Sequence, residues 1–223
     1  MLDCGITSVY LIRNSRISFF FNRNVLGRYP FHWHMLENEC EDCYFTDNSI
    51  HRSFFRCVSI HGTHGTLVSE NVAYDVSGFC YYLEDGVEED NTLSFNLAAH
   101  IHPVSNIVAN SGPGQTIPIF SQSFDLILPA DAAASGFYIT NLHNDIIGNA
   151  ASGGWSGFAL PVLHSPIGLS KNVNMRPADR LTKSFDGNTA HSTGWWWSHS
   201  GKSLAAVFLI FDFFRPRRPN SQF

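Results

Sequence analysis

The sequence contains little charge, since only 15% of its 223 residues are Asp, Glu, Lys or Arg. It has no surplus of basic residues, and its net charge is -5 with a pI near 6.1. A nucleic-acid partner, which requires a basic surface, is therefore not expected. Hydrophobic residues make up 44% of the chain, which is typical of a globular protein and not of a disordered one.

Long apolar runs are also absent. The longest, Leu204 to Phe211, has about 8 residues, whereas a membrane-spanning helix needs about 20. We therefore predict no transmembrane segment. The first residues lack the basic start and apolar run of a signal peptide, and no N-x-S/T glycosylation motif occurs. The chain is expected to be either cytosolic or a piece of a longer protein.

The sequence has no long stretch with the 3.6-residue periodicity of a helix, but it has a repeated asparagine. Asn24, Asn48, Asn71 and Asn96 recur at intervals of 24, 23 and 25 residues, separated by short apolar runs and turn residues. Three short strands and three turns require about this length. We therefore predict an all-β fold, a right-handed parallel β-helix, in which the asparagines of successive coils stack at one turn.

The repeat is interrupted in the second half of the chain. Asn96 and Asn149 are 53 residues apart, and Asn149 and Asn188 are 39 residues apart. We predict one β-helix domain over residues 1–200, with long loops at about 103–134 and 165–184, followed by an irregular tail at 201–223. Long loops on a rigid solenoid usually shape a binding face.

The chain has five cysteines, so at least one is free or pairs outside the chain. Cys57 and Cys80 each follow a repeat asparagine by nine residues, which places them on adjacent coils, either as a disulfide or as two stacked thiols. Cys40 and Cys43 form a single C-x-x-C motif in an acidic loop. A local disulfide is at least as consistent with that motif as a zinc site.

Five histidines lie between residues 32 and 64. Aligning the equivalent strands PFHWHM, CVSIHGT and CYYLEDG places alternate apolar residues on the inner face. His34, His61 and Glu84 then fall together on the outer face. The first coil fits this count only with a three-residue slip, which we assign to the acidic loop ENECEDC.

This set of residues suits two kinds of chemistry. His32, His34, His61 and Glu84 form a ligand set for a divalent metal ion, for which imidazole favours zinc or another transition metal. Alternatively, His61, His64, Glu84 and Asp85 supply a general acid and base. Hydrolysis of a glycosidic bond requires two such groups flanking the bond. Glu88, Glu89 and Asp90 are assigned to solvent.

Three further residues are candidates for binding a substrate. Arg28 and Arg56 lie near the cluster in the sequence and would attract an acidic polymer. Trp196 is one of three consecutive tryptophans, which cannot all point inward in a strand. It could stack on a sugar ring. These residues favour a polysaccharide as the partner.

The motifs GRYPFHWHM, H-G-T-H-G and L-E-D-G-x-E resemble the β-helix region of the family that includes cell migration-inducing and hyaluronan-binding protein, transmembrane protein 2 and the fibrocystin-like proteins. The resemblance implies an extracellular or cell-surface location, hyaluronan as the substrate and calcium as the cofactor. It places His61, His64, Glu84 and Asp85 in the shared motifs, and His32 and His34 in the shared strand.

Three hypotheses follow for the function. The first is a polysaccharide hydrolase that acts through the His/Glu/Asp cluster, and a polysaccharide lyase on the same scaffold is the second choice. The third is a non-catalytic module that binds a glycan or a protein at the cell surface. The enzymes would release new chain ends, whereas the module would bind without turnover.

Overall fold

The computed structural model describes residues 11–13, 15–18, 29–53, 56–102, 134–154 and 156–193. The predicted loop at 103–134 lies almost wholly outside these residues. Arg28, Trp196 and the tail at 201–223 lie outside them entirely. The described part is made of short strands with two single-turn 3-10 helices, Gly168–Ser170 and Pro177–Asp179.

The strands form three parallel sheets, and each coil contributes one strand to each sheet, except that the last described coil has none in the third. The first sheet contains β1 (Leu11–Arg13), β4 (Tyr44–Thr46), β7 (Leu67–Ser69), β10 (Thr92–Ser94), β13 (Asp145–Ile147) and β16 (Ser184–Asp186). The second contains β2 (Arg16–Ser18), β5 (Ser49–Ser53), β8 (Val72–Ser77), β11 (Leu97–His102), β14 (Ala150–Gly153) and β17 (Thr189–His191). The third, called the site sheet below, contains β3 (Phe31–Glu37), β6 (Val58–Thr63), β9 (Tyr81–Leu83), β12 (Ser135–Tyr138) and β15 (Ser156–Ala159). This is the predicted parallel β-helix.

Buried asparagines form a ladder along the turn between the first and second sheets. The side-chain amide nitrogen of each donates to the Oδ1 of the next, and the same Oδ1 accepts the backbone N–H of the asparagine before it. The ladder runs through Asn48, Asn71, Asn96, Asn149 and Asn188. Each turn needs one left-handed residue, but this is the residue preceding the asparagine, namely Asp47, Glu70, Phe95, Gly148 and Gly187.

The first coil differs from the prediction. The backbone N–H of Ser15 donates to Oδ1 of Asn48, 33 residues away, and Arg16 pairs with Ser49. Ser15 therefore holds the ladder position that the repeat assigned to Asn24, which itself lies outside the described residues. The first coil is longer than the 23 and 25 residues that separate Asn48, Asn71 and Asn96. The three-residue slip itself lies where it was predicted: Glu37 pairs with Thr63 and Tyr44 with Leu67, so the acidic loop holds six residues where the next coil has three.

The predicted alignment of the site sheet is confirmed. Phe31, Val58 and Tyr81 are paired neighbours, as are Trp33, Ile60 and Leu83. All six are buried in the core, because alternate residues of each strand point inward. The opposite alternation leaves the histidines of β3 and β6 on the outer face.

Both pairs of cysteines form disulfides. Cys57 and Cys80 join adjacent coils, with 4.5 Å between their Cα atoms, and Cys40 and Cys43 close the acidic turn that follows β3. The C-x-x-C motif is therefore not a zinc site in this structure, since its thiols are consumed by the disulfide. Within the described residues, no helix is long and apolar enough to cross a membrane.

Between β15 and β16 the chain leaves the coil and forms a long loop, residues 160–183, called the covering loop below. It contains both 3-10 helices and no strand. Hydrogen bonds from Ile167 N–H to the Asp85 carbonyl and from Lys183 N–H to the Leu142 carbonyl attach it to the coils. The loop therefore lies against the turn that follows β9, where the predicted carboxylates are found.

Candidate active site

Three histidine rings meet on the outer face of the site sheet, where β3 and β6 pair. His34 lies opposite His61 in the register, and their ring centroids are 4.8 Å apart. His32 stacks almost parallel to His61, with 5.8 Å between the ring centroids. One nitrogen of each ring lies within 4.8 Å of the other two, so the three can face a common point. His32 and His61 are buried, whereas His34 is exposed.

His61 also lies between two carboxylates that follow β9. Its Nε2 is 2.9 Å from Oδ2 of Asp85, and its Nδ1 is 3.8 Å from Oε2 of Glu84. The hydroxyl of Ser59 donates to that same Glu84 oxygen at 3.0 Å. The strand register explains this arrangement, because Ile60 pairs with Leu83 and the next residues on each strand are His61 and Glu84.

The prediction that Glu88 faces solvent is wrong, because this residue is completely buried. Its carboxylate accepts hydrogen bonds from three backbone N–H groups, those of Gly62, Asp85 and Gly86. The turn after β9 folds back so that the carboxylate reaches these donors. Glu88 thereby fixes the backbone on both sides of the site, next to His61 on one strand and at Asp85 on the other. Asp90 is exposed, as expected.

The covering loop closes the site over Asp85. The backbone N–H of Ser170 donates to Oδ2 of Asp85 at 2.9 Å, which is the oxygen that also faces His61. Gly168 has a positive φ of 58°, and a β-carbon there would collide with the Asp85 carboxylate. Glycine is therefore required for this close approach. Arg180 anchors the loop by pairing with both oxygens of Glu89.

The electrostatics of His61 and Asp85 are coupled. Burial has the largest single effect on His61 and lowers its pKa. Several effects act in the opposite direction, namely the hydrogen bond to Asp85 and the charges of Glu84, Asp85 and Glu88. Together they outweigh burial, so the pKa of His61 is raised above 6.5. For Asp85, burial is again the largest effect, but it raises the pKa. The hydrogen bond and charge of His61, together with the hydrogen bonds from Ser170, outweigh burial, so the pKa of Asp85 is lowered. Together, the shifts favour an imidazolium paired with a carboxylate.

Glu88 is expected to make folding stability depend on pH. Burial raises its pKa from 4.5 to about 7, opposed by its backbone hydrogen bonds. The folded state therefore keeps a proton that the unfolded chain releases between these values, so stability falls as pH rises through that window. The raised pKa of His61 acts in the same direction above pH 6.5. The lowered pKa of Asp85 has the opposite effect on stability. The stabilisation that the Asp85 carboxylate contributes is lost as the pH falls and the group is protonated.

Replacing Glu88 with Gln is expected to reduce the difference in unfolding free energy between about pH 5 and pH 8 by about 2 to 3 kcal/mol. Urea unfolding at the two pH values measures this difference. Glu39→Gln is the matched control, since Glu39 is exposed and should leave the difference unchanged. An unchanged pH dependence in Glu88→Gln would contradict a raised pKa.

Arg56, predicted to contact substrate, does not lie on the surface. It is completely buried, with its guanidinium carbon 3.9 Å from the ring centroid of Tyr82 and 5.1 Å from that of Phe79. The cation–π contacts explain how a charge is accommodated among aromatic rings. Sequence position alone suggested a groove residue, but the outward-facing aromatic residues cover this side chain. Arg56 is therefore buried beneath the outward-facing aromatic residues of the site sheet and is not available to a substrate.

His64, a predicted catalytic residue, binds the neighbouring turn. Its Nδ1 accepts the backbone N–H of Glu89 at 3.1 Å, and its own backbone N–H donates to the Glu37 carbonyl. These contacts join three successive coils at the edge of the site. They indicate that His64 positions the turn carrying Glu88.

Sequence reasoning missed Ser59, Glu88 and Ser170 as parts of the site. A signal was available for Glu88, because it ends the L-E-D-G-x-E motif. Ser59 was recognisable as the partner of His32 in the strand alignment. Ser170 is brought to Asp85 by the covering loop, which has no repeat from which its position could be counted.

Taken together, the fold and the site define a parallel β-helix with a histidine and carboxylate cluster on one face, covered by a loop. Comparison with known proteins agrees with this class. The family model described as CEMIP β-helix matches residues 17–196. The chain therefore belongs to the CEMIP β-helix family.

The chain is also similar to several larger proteins. It is 53% identical over 190 residues to protein rliB of Dictyostelium discoideum, and 54% identical over 172 residues to a G8 domain-containing protein of the same organism. It is 35% identical over 171 residues to mouse Fibrocystin-L. These matches cover 85%, 77% and 76% of this chain but only 17%, 12% and 4% of the relatives. The chain thus corresponds to one region of each.

Proposed function

We propose that this β-helix binds and hydrolyses a glycosaminoglycan-like polysaccharide, with hyaluronan as the first substrate to test. One observation carries the proposal: the buried imidazole of His61 is hydrogen-bonded to Asp85 and lies 3.8 Å from a second carboxylate, that of Glu84. Hydrolysis of a glycosidic bond requires a proton donor and a carboxylate or equivalent base. The long outer face of a β-helix suits an extended polymer.

In the proposed reaction His61 acts as the general acid. Its raised pKa keeps the imidazolium available near neutral pH, and Asp85 holds the ring in place. The imidazolium gives its proton to the departing glycosidic oxygen as the bond to the anomeric carbon breaks. A water molecule attacks that carbon from the opposite face of the sugar ring as hydroxide and releases its proton to solvent, while Glu84, beside His61, stabilises the positive charge that develops on the ring. Water is thereby added across the bond, and one new reducing end forms.

As an alternative to the acid role of His61, the three histidines form a donor set for a metal ion, because an imidazole that binds a metal is neutral and cannot also be the proton donor. His32, His34 and His61 would hold a zinc-type ion, since imidazole nitrogen suits transition metals, and Glu84 adjoins His61. When bound, such an ion would supply Lewis-acid polarisation. Calcium, the ion implied by the resemblance, prefers oxygen ligands. It fits less well here, because Asp85 and Glu88 already accept hydrogen bonds from the protein.

An acidic polymer needs a local cation, and the covering loop supplies one. Arg176, Arg180 and Lys183 form ion pairs within the protein. Lys171 is exposed, has no ion pair among the described residues and directly follows Ser170, which contacts Asp85. We assign it to substrate binding in place of Arg56.

The Lys171→Ala variant is therefore expected to raise KM for hyaluronan at least about threefold with little change in kcat, because the charge acts on binding. Initial rates at low and high salt measure this effect, which should diminish as salt screens the charge. A lowered kcat at unchanged KM would contradict a binding role.

A non-catalytic binding module is the second candidate. It is favoured by the fact that Asp85 and Glu88 are already satisfied by hydrogen bonds within the protein, as structural carboxylates would be. In this case the outer face of the site sheet holds a glycan or protein without turnover. A lyase would instead abstract a proton next to a uronate carboxylate and leave an unsaturated product.

One assay separates these functions. Purified protein is incubated with hyaluronan and with chondroitin, with and without a chelator, while reducing ends and unsaturated products are measured separately. Reducing ends without unsaturation support the hydrolase, and unsaturated ends indicate the lyase. Binding of hyaluronan with neither product identifies the binding module and overturns the enzymatic proposal. Loss of activity with the chelator, restored by zinc, assigns a metal to the histidines.

We further propose that the chain works outside the cell or at its surface. The two disulfides support this, because such bonds form and persist in oxidising compartments and are rare in the cytosol. Treating cells with a membrane-impermeant biotin reagent and detecting the labelled full-length protein tests the location. Labelling only after permeabilisation would contradict it.

A further inference from the structure

A second cluster of metal-ligating side chains lies on the outer face of the second sheet, where β8 and β11 pair. It contains Asp75, His100 and His102, and one ligand atom of each lies within 4.8 Å of the other two. Nε2 of His102 is 3.1 Å from Oδ1 of Asp75, and Nε2 of His100 is 3.8 Å from the same oxygen. None of the three belongs to the site described above.

The backbone brings these residues together through a repeated irregularity. Asp75 and His100 are left-handed, with φ of 60° and 55°, and both are skipped in the register between β8 and β11. Ala73 and Val76 are buried on either side of Tyr74 and Asp75, so these two consecutive residues both point outward. Left-handed conformations are costly for residues other than glycine, and such strain often accompanies function.

We propose that Asp75, His100 and His102 form a second metal site, which takes a zinc-type divalent ion. Zinc bonds to histidine nitrogen and carboxylate oxygen are about 2.1 Å long, so tetrahedral ligand atoms lie about 3.4 Å apart. The separations of 3.1 and 3.8 Å bracket this value. Two imidazoles and one carboxylate are ligands that such an ion accepts.

Neighbouring side chains hold both rings in orientation. Nδ1 of His102 is 3.3 Å from the hydroxyl of Ser77, which leaves Nε2 directed at Asp75. The ring of His100 stacks on Tyr74, with 5.7 Å between the ring centroids. Contacts of this type fix the ligand nitrogen of metal-binding histidines. The side chain of His100 is 62% exposed, so the fourth coordination position faces solvent or a partner's ligand.

Zinc stoichiometry tests the site separately from the proposed function. The metal-free chain is titrated with zinc chloride by calorimetry in a His34→Ala background, which removes an exposed donor of the other histidine cluster. We expect one equivalent to bind, and none after His102→Ala is added. His191→Ala, an exposed histidine of β17, is the matched control and should retain the equivalent. Ser77→Ala is expected to weaken binding about tenfold.

The outcomes are decisive whether or not the chain cleaves a glycan. An equivalent that binds with the same affinity in His34→Ala/His102→Ala as in His34→Ala would overturn the second site, as would absence of binding in His34→Ala alone. Circular dichroism melts of the metal-free variants show that each is folded. Asp75→Asn provides a second test, since it keeps the side chain's shape but removes its charge, and it should also abolish the equivalent.

Discussion

The His61→Gln variant is expected to lose at least about 100-fold in kcat for hyaluronan cleavage while keeping its fold. Glutamine can still donate a hydrogen bond to Asp85, but it cannot transfer a proton near neutral pH. Loss of a positioned general acid typically costs 10²- to 10⁴-fold in rate. Because His61 is buried in contact with Asp85, water cannot readily take its place. Reducing ends released per unit time at saturating substrate give kcat directly.

His191→Gln is the matched control for this prediction, because it makes the same substitution at an exposed histidine of the second sheet. It should retain the activity of the parent chain. Melting temperatures of the three proteins must agree for the comparison to hold. If His61→Gln kept its activity within a factor of three, His61 would not be the proton donor.

The second large effect is expected from the asparagine ladder. Asn96 donates to the Val68 carbonyl and to Asn149, and its Oδ1 accepts both the backbone N–H and the amide of Asn71. Asn96→Ala removes all four hydrogen bonds in a buried turn. Each buried group left without a partner costs about 1 to 3 kcal/mol. The free energy of unfolding, from urea titration, is therefore expected to fall by about 3 kcal/mol.

Asn172→Ala, in the exposed part of the covering loop, is the control and should change stability by less than about 0.5 kcal/mol. A loss of less than 1 kcal/mol in Asn96→Ala would show that the ladder contributes little. Asn96 lies in the turn between the first and second sheets, so Asn96→Ala should lower stability without altering the site sheet. The fraction of the variant that is folded should therefore still cleave the substrate.

The fold was predictable because a β-helix repeats its own geometry. Once Asn48, Asn71 and Asn96 define the repeat, each strand position can be counted, and the pairing of Ile60 with Leu83 follows. The count failed in the first coil, where Ser15 takes the ladder position and no asparagine marks it. An asparagine marks the repeat only in a turn that uses its side-chain amide. In the first coil the donor to Asn48 is a backbone N–H, which does not identify the residue type at that position.

The site was predictable only as far as it lies on strands. His34, His61 and Glu84 follow from register, and the structure brings them together. Glu88 could not be assigned in the same way, because a carboxylate in an acidic turn is usually solvated and only the fold shows three backbone donors aimed at it. Burial of Arg56 likewise depends on aromatic residues from other strands and turns, which sequence spacing does not reveal.

His61 and Asp85 are predicted to titrate as a coupled acid–base pair on the outer face of the site sheet. NMR titration of the His61 ring, with its signal assigned by comparison with His61→Gln, tests this prediction. We predict a pKa above 6.5 in the wild-type chain, since the carboxylates outweigh burial. In Asp85→Asn the pKa should fall, because burial would then prevail. A wild-type pKa at or below 6.5, or one unchanged by Asp85→Asn, would contradict the pair.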